Sequence, residues 1–234
     1  MKFIRQIKRV INYKLKFSGK ENTDLNYLVH ANVSKELKEL MTKYGSDKGN
    51  LNKHHNFADL YSSIFSGNRG NIKNFLEVGL GSNNINVLSN MGYDGKPLAS
   101  LRAWRDYFPN AQIYGADIDS NILINEERIK TFFVDQTKPD TIIEMLKKID
   151  CNEFDVILDD ALHTFEANIC LFENTYSNLK YNGIYIIEDI YYKDKIKFIK
   201  YFKEKKILFS LIDIYHENNI ANNGVVIIKK NENL

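Results

Sequence analysis

At 234 residues the chain is long enough for one substantial core, and a composition 44% apolar and 26% charged argues against disorder or a fibrous repeat. Its 32 Lys and Arg against 30 Asp and Glu leave no strong overall field, so a nucleic-acid partner is not indicated. Two cysteines, no secretory apolar core and no apolar run near the roughly 18 residues of a membrane span point to a reducing cytoplasm, and the abundance of Lys, Asn and Ile to an AT-rich bacterial genome.

Residues 1–17 carry Lys2, Arg5, Lys8, Arg9, Lys14 and Lys16 without one acid, while Phe3, Ile4, Ile7, Val10 and Ile11 recur at helical spacing. Such a basic amphipathic helix usually packs its stripe on its own domain or on a second subunit, which makes a homo-oligomer an expectation. Contact with an anionic membrane surface is the alternative. Ser18-Gly19-Lys20-Glu21-Asn22 reads as a linker, and Ser34 to Met41 as a helix with a serine cap. Residues 1–43 are therefore expected to form a helical extension, and residues 44–234 the main domain.

From there strands and helices alternate. Apolar, β-branched runs predict seven strands at Asn74 to Leu80, Gln112 to Ile118, Ile129 to Asp135, Phe154 to Asp160, Gly183 to Ile190, Ile207 to Tyr215 and Gly224 to Lys230. Helical spacing fits Leu101 to Phe108, Thr141 to Ile149, Ala167 to Leu179 and Lys193 to Lys203. This is an α/β pattern: a mostly parallel Rossmann-like sheet with helices on both faces. The last two strands are joined too closely for a helix, so they close the sheet as an antiparallel C-terminal hairpin.

Ligands of such sheets bind beyond the carboxyl ends of the strands. The first strand closes on Glu77-Val78-Gly79-Leu80-Gly81, a turn that either approaches a ligand closely or merely joins strand to helix; Asn84 stands where a third glycine would complete a pyrophosphate cradle. The second ends on Asp117, placed to accept from ribose hydroxyls, and the third on Asp135-Gln136, suited to an adenine edge. Two further strands end abruptly on acids, Asp159-Asp160 and Glu188-Asp189, with His163 three residues after the first pair.

Six segments in order, Tyr44-Gly45-Ser46-Asp47-Lys48-Gly49, Phe75 to Gly81, Ser100 to Pro109, Tyr114 to Ile118, Asp159-Asp160-Ala161-Leu162-His163 and Ile187-Glu188-Asp189, resemble the class I S-adenosylmethionine-dependent methyltransferases. Within that class they look like the metal-dependent O-methyltransferases of macrolide deoxysugars, the mycinamicin type. The resemblance runs from Tyr44 to about Lys230. It implies that Glu77, Gly79 and Gly81 line the methionine moiety, that Asp117 holds the ribose and Asp135 with Gln136 the adenine, and that Ser100, Asp47 and Lys48 help close the cofactor pocket. The family commonly reads Asp-Asp-Gly-Ser-His where this chain has Ala161-Leu162 between acid and base, a change on the acceptor side.

A sugar hydroxyl is a poor nucleophile until it is aligned and relieved of its proton. Asp160, Glu188 and Asp189 are expected to ligate Mg2+, a hard cation suited to oxygen donors, and His163 to act as general base. Alternation along the strand leaves Asp159 as a structural acid. The ordinary alternative is that these acids cap helices or solvate strand ends. His54 and His55 are adjacent and read as solvated loop residues before they read as acceptor ligands. The same chelate would also serve a catechol-like or other oxygen-acid acceptor. A nicotinamide-binding oxidoreductase or non-catalytic nucleotide-binding module shares the sheet, but the missing third glycine and the terminal hairpin oppose it.

Overall fold

A computed structural model describes residues 34–51, 55–219 and 221–231. The basic stripe of residues 1–17, the linker at 18–22, and His54 lie outside the described residues. Helix α1, Glu36–Tyr44, begins with the Glu36 amide donating to Ser34 Oγ. It stops at Gly45, whose φ of 90° returns its N–H to the carbonyls of Met41 and Thr42, a left-handed turn that suits glycine. The turn sends the following 3-10 segment, Asp47–Gly49, toward the strand ends.

Helix α2, Phe57–Phe65, is an element that the sequence pattern did not lead us to expect. Strand β1 (Asn74–Val78), helix α3 (Ala99–Tyr107), β2 (Gln112–Asp117), the two-residue β3 (Asn125–Glu126), β4 (Ile129–Phe133) and α4 (Pro139–Lys148) follow. The chain continues through β5 (Phe154–Asp159), α5 (Phe165–Thr175), β6 (Leu179–Ile190), α6 (Lys195–Glu204), β7 (Ser210–Asp213) and β8 (Gly224–Lys229). All seven expected strands are present. The eighth is β3, which pairs antiparallel with β4 and is too short to leave a period-2 signal.

The sheet runs β3-β4-β2-β1-β5-β6-β8-β7. Strands β4, β2, β1, β5 and β6 are mutually parallel, and β8 lies antiparallel between β6 and β7 as the closing hairpin. Successive strand residues face opposite sides, so Phe75 joins one core cluster and Leu76 the other. The first cluster stacks Trp104 against Phe75 and Phe108 and takes in Leu37 and Met41 of α1, so residues 36–43, read above as part of the extension, pack into the main body. The second packs Phe154, Phe172, Tyr185, Phe198 and Phe202 under α5 and α6. Full burial of one such Phe ring is worth about 1.5–3 kcal/mol.

Strand β1 has β2 on one side and β5 on the other, so the chain order reverses there and the crossovers diverge. That divergence leaves a crevice beyond the carboxyl ends of β1 and β5. No helix among the described residues is long and apolar enough to cross a membrane.

Candidate active site

The crevice holds a cavity of about 520 Å3, within the range usual for small-molecule sites. Its two ends differ in chemistry. At one end lie Gly79, Gly81, Ser100, Asp117, Asp135 and Gln136. Gly79 takes φ 96°, and a Cβ there would stand 2.1 Å from the Asp160 carbonyl oxygen, so glycine is required for β1 to pass β5. Asp117 ties this turn to β2 by accepting from the Leu80 amide at 2.7 Å and the Asp119 amide at 2.9 Å. Asp135 accepts from the Thr137 amide at 3.0 Å and pairs with Lys138 at 2.8 Å.

Gln136 is committed on both atoms: Nε2 donates to Asp159, and Oε1 accepts from the Leu162 amide at 3.0 Å. Asp159 itself is fully buried, accepts from Asn168 Nδ2 at 2.9 Å and stands off the cavity; burial pushes its carboxyl up to about 7. Glu77 also stands behind the cavity wall. It accepts from Ser100 Oγ at 2.8 Å, and burial, against the pull of Lys48, moves it up to about 7.

The other end gathers Asp47, Lys48, Asp160, His163 and Asp189. Asp160, His163 and Asp189 each present a ligand atom within 4.8 Å of the others. His163 Nε2 lies 3.8 Å from Asp189 Oδ2. Both residues occupy the left-handed region, at φ 56° and 52°, where a non-glycine residue costs of order 1–3 kcal/mol and persists because its surroundings hold it. Asp189 Oδ1 and His163 Nδ1 are buried without a hydrogen-bond partner.

Lys48 is buried against these acids. Its Nζ lies 2.5 Å from Glu188 Oε2 and 3.8 Å from Glu77 Oε1, and it also donates to Asp160 Oδ2. Burial disfavours its charge, yet Asp160, Glu188 and Glu77 together hold its pKa well above the ordinary value. Burial likewise drives Glu188 and Asp189 well upward, while Asp160, also desolvated, is held below its ordinary value by Lys48. Burial keeps His163 and His55 below their ordinary pKa, so both imidazoles are neutral near pH 7.

The structure thus brings Asp160, Glu188, Asp189 and His163 to one place but divides them. Both oxygens of Glu188 are committed, one to Lys48 and the other to the Tyr61 hydroxyl. Among the described residues, the ligand atoms that lie within 4.8 Å of one another are those of Asp160, His163 and Asp189, and Glu188 stands outside that set. Tyr61 enters from outside the sequence reading, and His55, which that reading weighed as a loop residue or an acceptor-pocket residue, enters with it. Tyr61 lies on α2, whose Phe57, Leu60, Tyr61 and Phe65 recur at helical spacing and could have disclosed the helix. His55, read as a solvated loop residue, is largely covered, stacks on Phe57 and places Nδ1 3.3 Å from Asp189 Oδ1.

No protein-family model matches the chain. It is 30% identical to the demethylmacrocin O-methyltransferase of Streptomyces fradiae over 159 residues, 67% of this chain and 36% of that enzyme. It is 28% identical over 156 residues to the 8-demethyl-8-alpha-L-rhamnosyl tetracenomycin-C 2'-O-methyltransferase of Streptomyces olivaceus, 66% of this chain and 37% of the other. Among solved structures, MycE methyltransferase from the mycinamycin biosynthetic pathway, in complex with Mg and SAH, superposes with a TM-score of 0.64 at 24% identity, covering 84% of this chain and 55% of that one. The chain has the class I methyltransferase fold. It spans little more than a third of the length of the curated relatives it matches. The cavity lies where the parallel strands end, lined by the glycine turn after β1 and by the acid-histidine cluster that follows β5 and ends β6.

Proposed function

We propose that the chain carries an S-adenosylmethionine-dependent O-methyltransferase site that acts, with a divalent cation, on a hydroxyl of a sugar. The observation that carries this reading is the cavity beyond the strand ends: partnered backbone and carboxylates around Gly79 and Asp117, and next to them the close set Asp160, His163 and Asp189, where Asp189 Oδ1 and His163 Nδ1 make no hydrogen bond. Buried acceptors left unpaired are costly, and a hard divalent cation is the partner that suits carboxylate oxygens, so the donor set fits Mg2+. The curated relatives are named as O-methyltransferases, and the MycE enzyme has also been solved with Mg, SAH and mycinamycin VI together.

When bound, S-adenosylmethionine would supply an electrophilic methyl group on a sulfonium, and a divalent cation, which Asp160 and Asp189 would hold, would lower the pKa of the acceptor hydroxyl. The remaining work falls to the chain. Asp117 and Asp135 offer acids to the nucleoside, and the backbone of Gly79 and Gly81 lines the cavity beside them. His163, neutral at working pH, takes the proton from the acceptor hydroxyl, and Asp189 Oδ2, 3.8 Å from its Nε2, stabilises the imidazolium that results. Glu188 holds Lys48 and Tyr61 behind this pair. Positioning matters as much as proton transfer, because in-line displacement needs the oxygen aligned with the methyl group.

The test is transfer of a labelled methyl group from S-adenosylmethionine to a panel of deoxysugar glycosides, nucleotide sugars and catechols, in chelator and in Mg2+. Methylation of a glycoside or sugar hydroxyl that stops in chelator and returns with Mg2+ is expected. Transfer to catechols alone overturns the acceptor class, and full turnover in excess chelator removes the cation from the mechanism.

A further inference from the structure

We propose that Lys48 is a built-in counter-cation that sets how tightly the acidic end of the cavity binds a divalent cation, by claiming one oxygen from Asp160 and one from Glu188. This inference rests on the metal-assisted reading above. Its basis is geometric. Lys48 sits on the 3-10 turn after α1, and its side chain reaches into the wall formed by the ends of β1, β5 and β6. With 3% of its side chain exposed, the ammonium touches one acid just after β5 and one on β6, and stands 3.8 Å from a third on β1.

Asp160 is at once a partner of Lys48 and a member of the ligand cluster. Asp160, Glu188 and Asp189 end neighbouring strands or follow them directly, and among the described residues Asp160 and Asp189 join His163 in the ligand cluster while Glu188 does not. Glu188 is withheld by Lys48 on one oxygen and by Tyr61 on the other. A fixed positive charge beside a metal site repels the incoming cation and occupies donors that the cation would otherwise use. Without Lys48, one oxygen each of Asp160 and Glu188 is released, and the acidic end carries one more net negative charge. Lys48 is thus a positioning residue: it lets the acids coexist when no divalent cation is bound, at the expense of affinity when one arrives.

The experiment uses the full chain, with Lys48→Met as the neutral variant of similar length and Lys48→Arg as the charge-conserving one. Mn2+ is titrated by electron paramagnetic resonance, and the melting temperature is read in chelator and in Mg2+. Lys48→Met is expected to bind Mn2+ about tenfold tighter or more, and to melt earlier than wild type in chelator but recover in Mg2+. Lys48→Arg is expected to bind Mn2+ within about threefold of wild type. Equal or weaker Mn2+ binding by Lys48→Met, or a melting loss that Mg2+ leaves unchanged, overturns the role assigned to Lys48. If Lys48→Met does not fold even with Mn2+, Lys48→Gln carries the same two expectations and the same power to overturn. A wild-type chain that binds neither Mn2+ nor S-adenosylhomocysteine overturns the metal-assisted methyltransferase reading itself, which is a different result from Mn2+ binding that Lys48 does not influence.

Discussion

The two ends of the cavity are built on opposite electrostatic terms. Around Gly79 and Gly81 each acid has protein partners before any ligand arrives: Asp117 accepts from two backbone amides, and Asp135 from an amide and the Lys138 ammonium. Around Asp160 and Asp189 the acids crowd one another, burial drives Asp189 and Glu188 toward their protonated forms, and Asp189 Oδ1 and His163 Nδ1 make no hydrogen bond. The first end is a shaped surface at rest. On the proposed reading the second is a charge arrangement that a further cation would complete, and its two left-handed residues show that the surrounding packing holds it in place. Binding and chemistry are therefore separable by mutation.

The largest effect is expected from His163→Ala. Loss of the general base should lower turnover about 10^2- to 10^4-fold while calorimetry still finds S-adenosylhomocysteine bound. Equal loss of cofactor binding would mean that the two ends are one unit. Next comes Asp117→Asn at the opposite end, which should weaken S-adenosylhomocysteine about ten- to a hundredfold and leave Mn2+ affinity where it was. A change in Mn2+ affinity of the same size would break the comparison from the other side.

The mildest effect on the cavity is expected from Asp159→Asn, since Asp159 lies behind both ends. Burial pushes its carboxyl up to about 7, against about 4 in an unfolded chain. Between those values the native protein keeps a proton that the unfolded chain has released. The stabilising contribution is thus full below about pH 4 and is lost as pH rises through about 7. The asparagine variant should gain on wild type as pH rises from 5 to 8, by at most about 1.4 kcal/mol per pH unit, the slope for one proton. Urea unfolding at several pH values measures it, and a constant difference between the two proteins would show that Asp159 does not titrate in this range.

Much of the fold was legible because the strands are apolar runs that stop on acids, a pattern set by burial and by the placement of ligands at strand ends. Alternation along β5 separated Asp159 from Asp160, and the first is a core acid bonded to Gln136 and Asn168 while the second reaches the cavity. Side-chain direction was less legible. Residue type alone suits Gln136 to an adenine edge, but only tertiary packing shows that its amide is spent on Asp159 and Leu162. Lys48 follows an acid in a turn, which says nothing of a reach to Glu188, 140 positions later. Helix α2 escaped notice beside the His54-His55 pair, and with it went Tyr61, whose hydroxyl meets Glu188 across 127 positions. Local pattern discloses elements, and partners this distant in sequence are disclosed only by the packed sheet.

The most direct test is calorimetric titration of the chain with S-adenosylhomocysteine in chelator, with a nicotinamide dinucleotide as control, since it needs no acceptor. Binding in roughly the micromolar range, in chelator as in Mg2+ and absent for the dinucleotide, is expected if the glycine-turn end is a methyl-donor site that works independently of the cation. No binding, or preference for the dinucleotide, would contradict it.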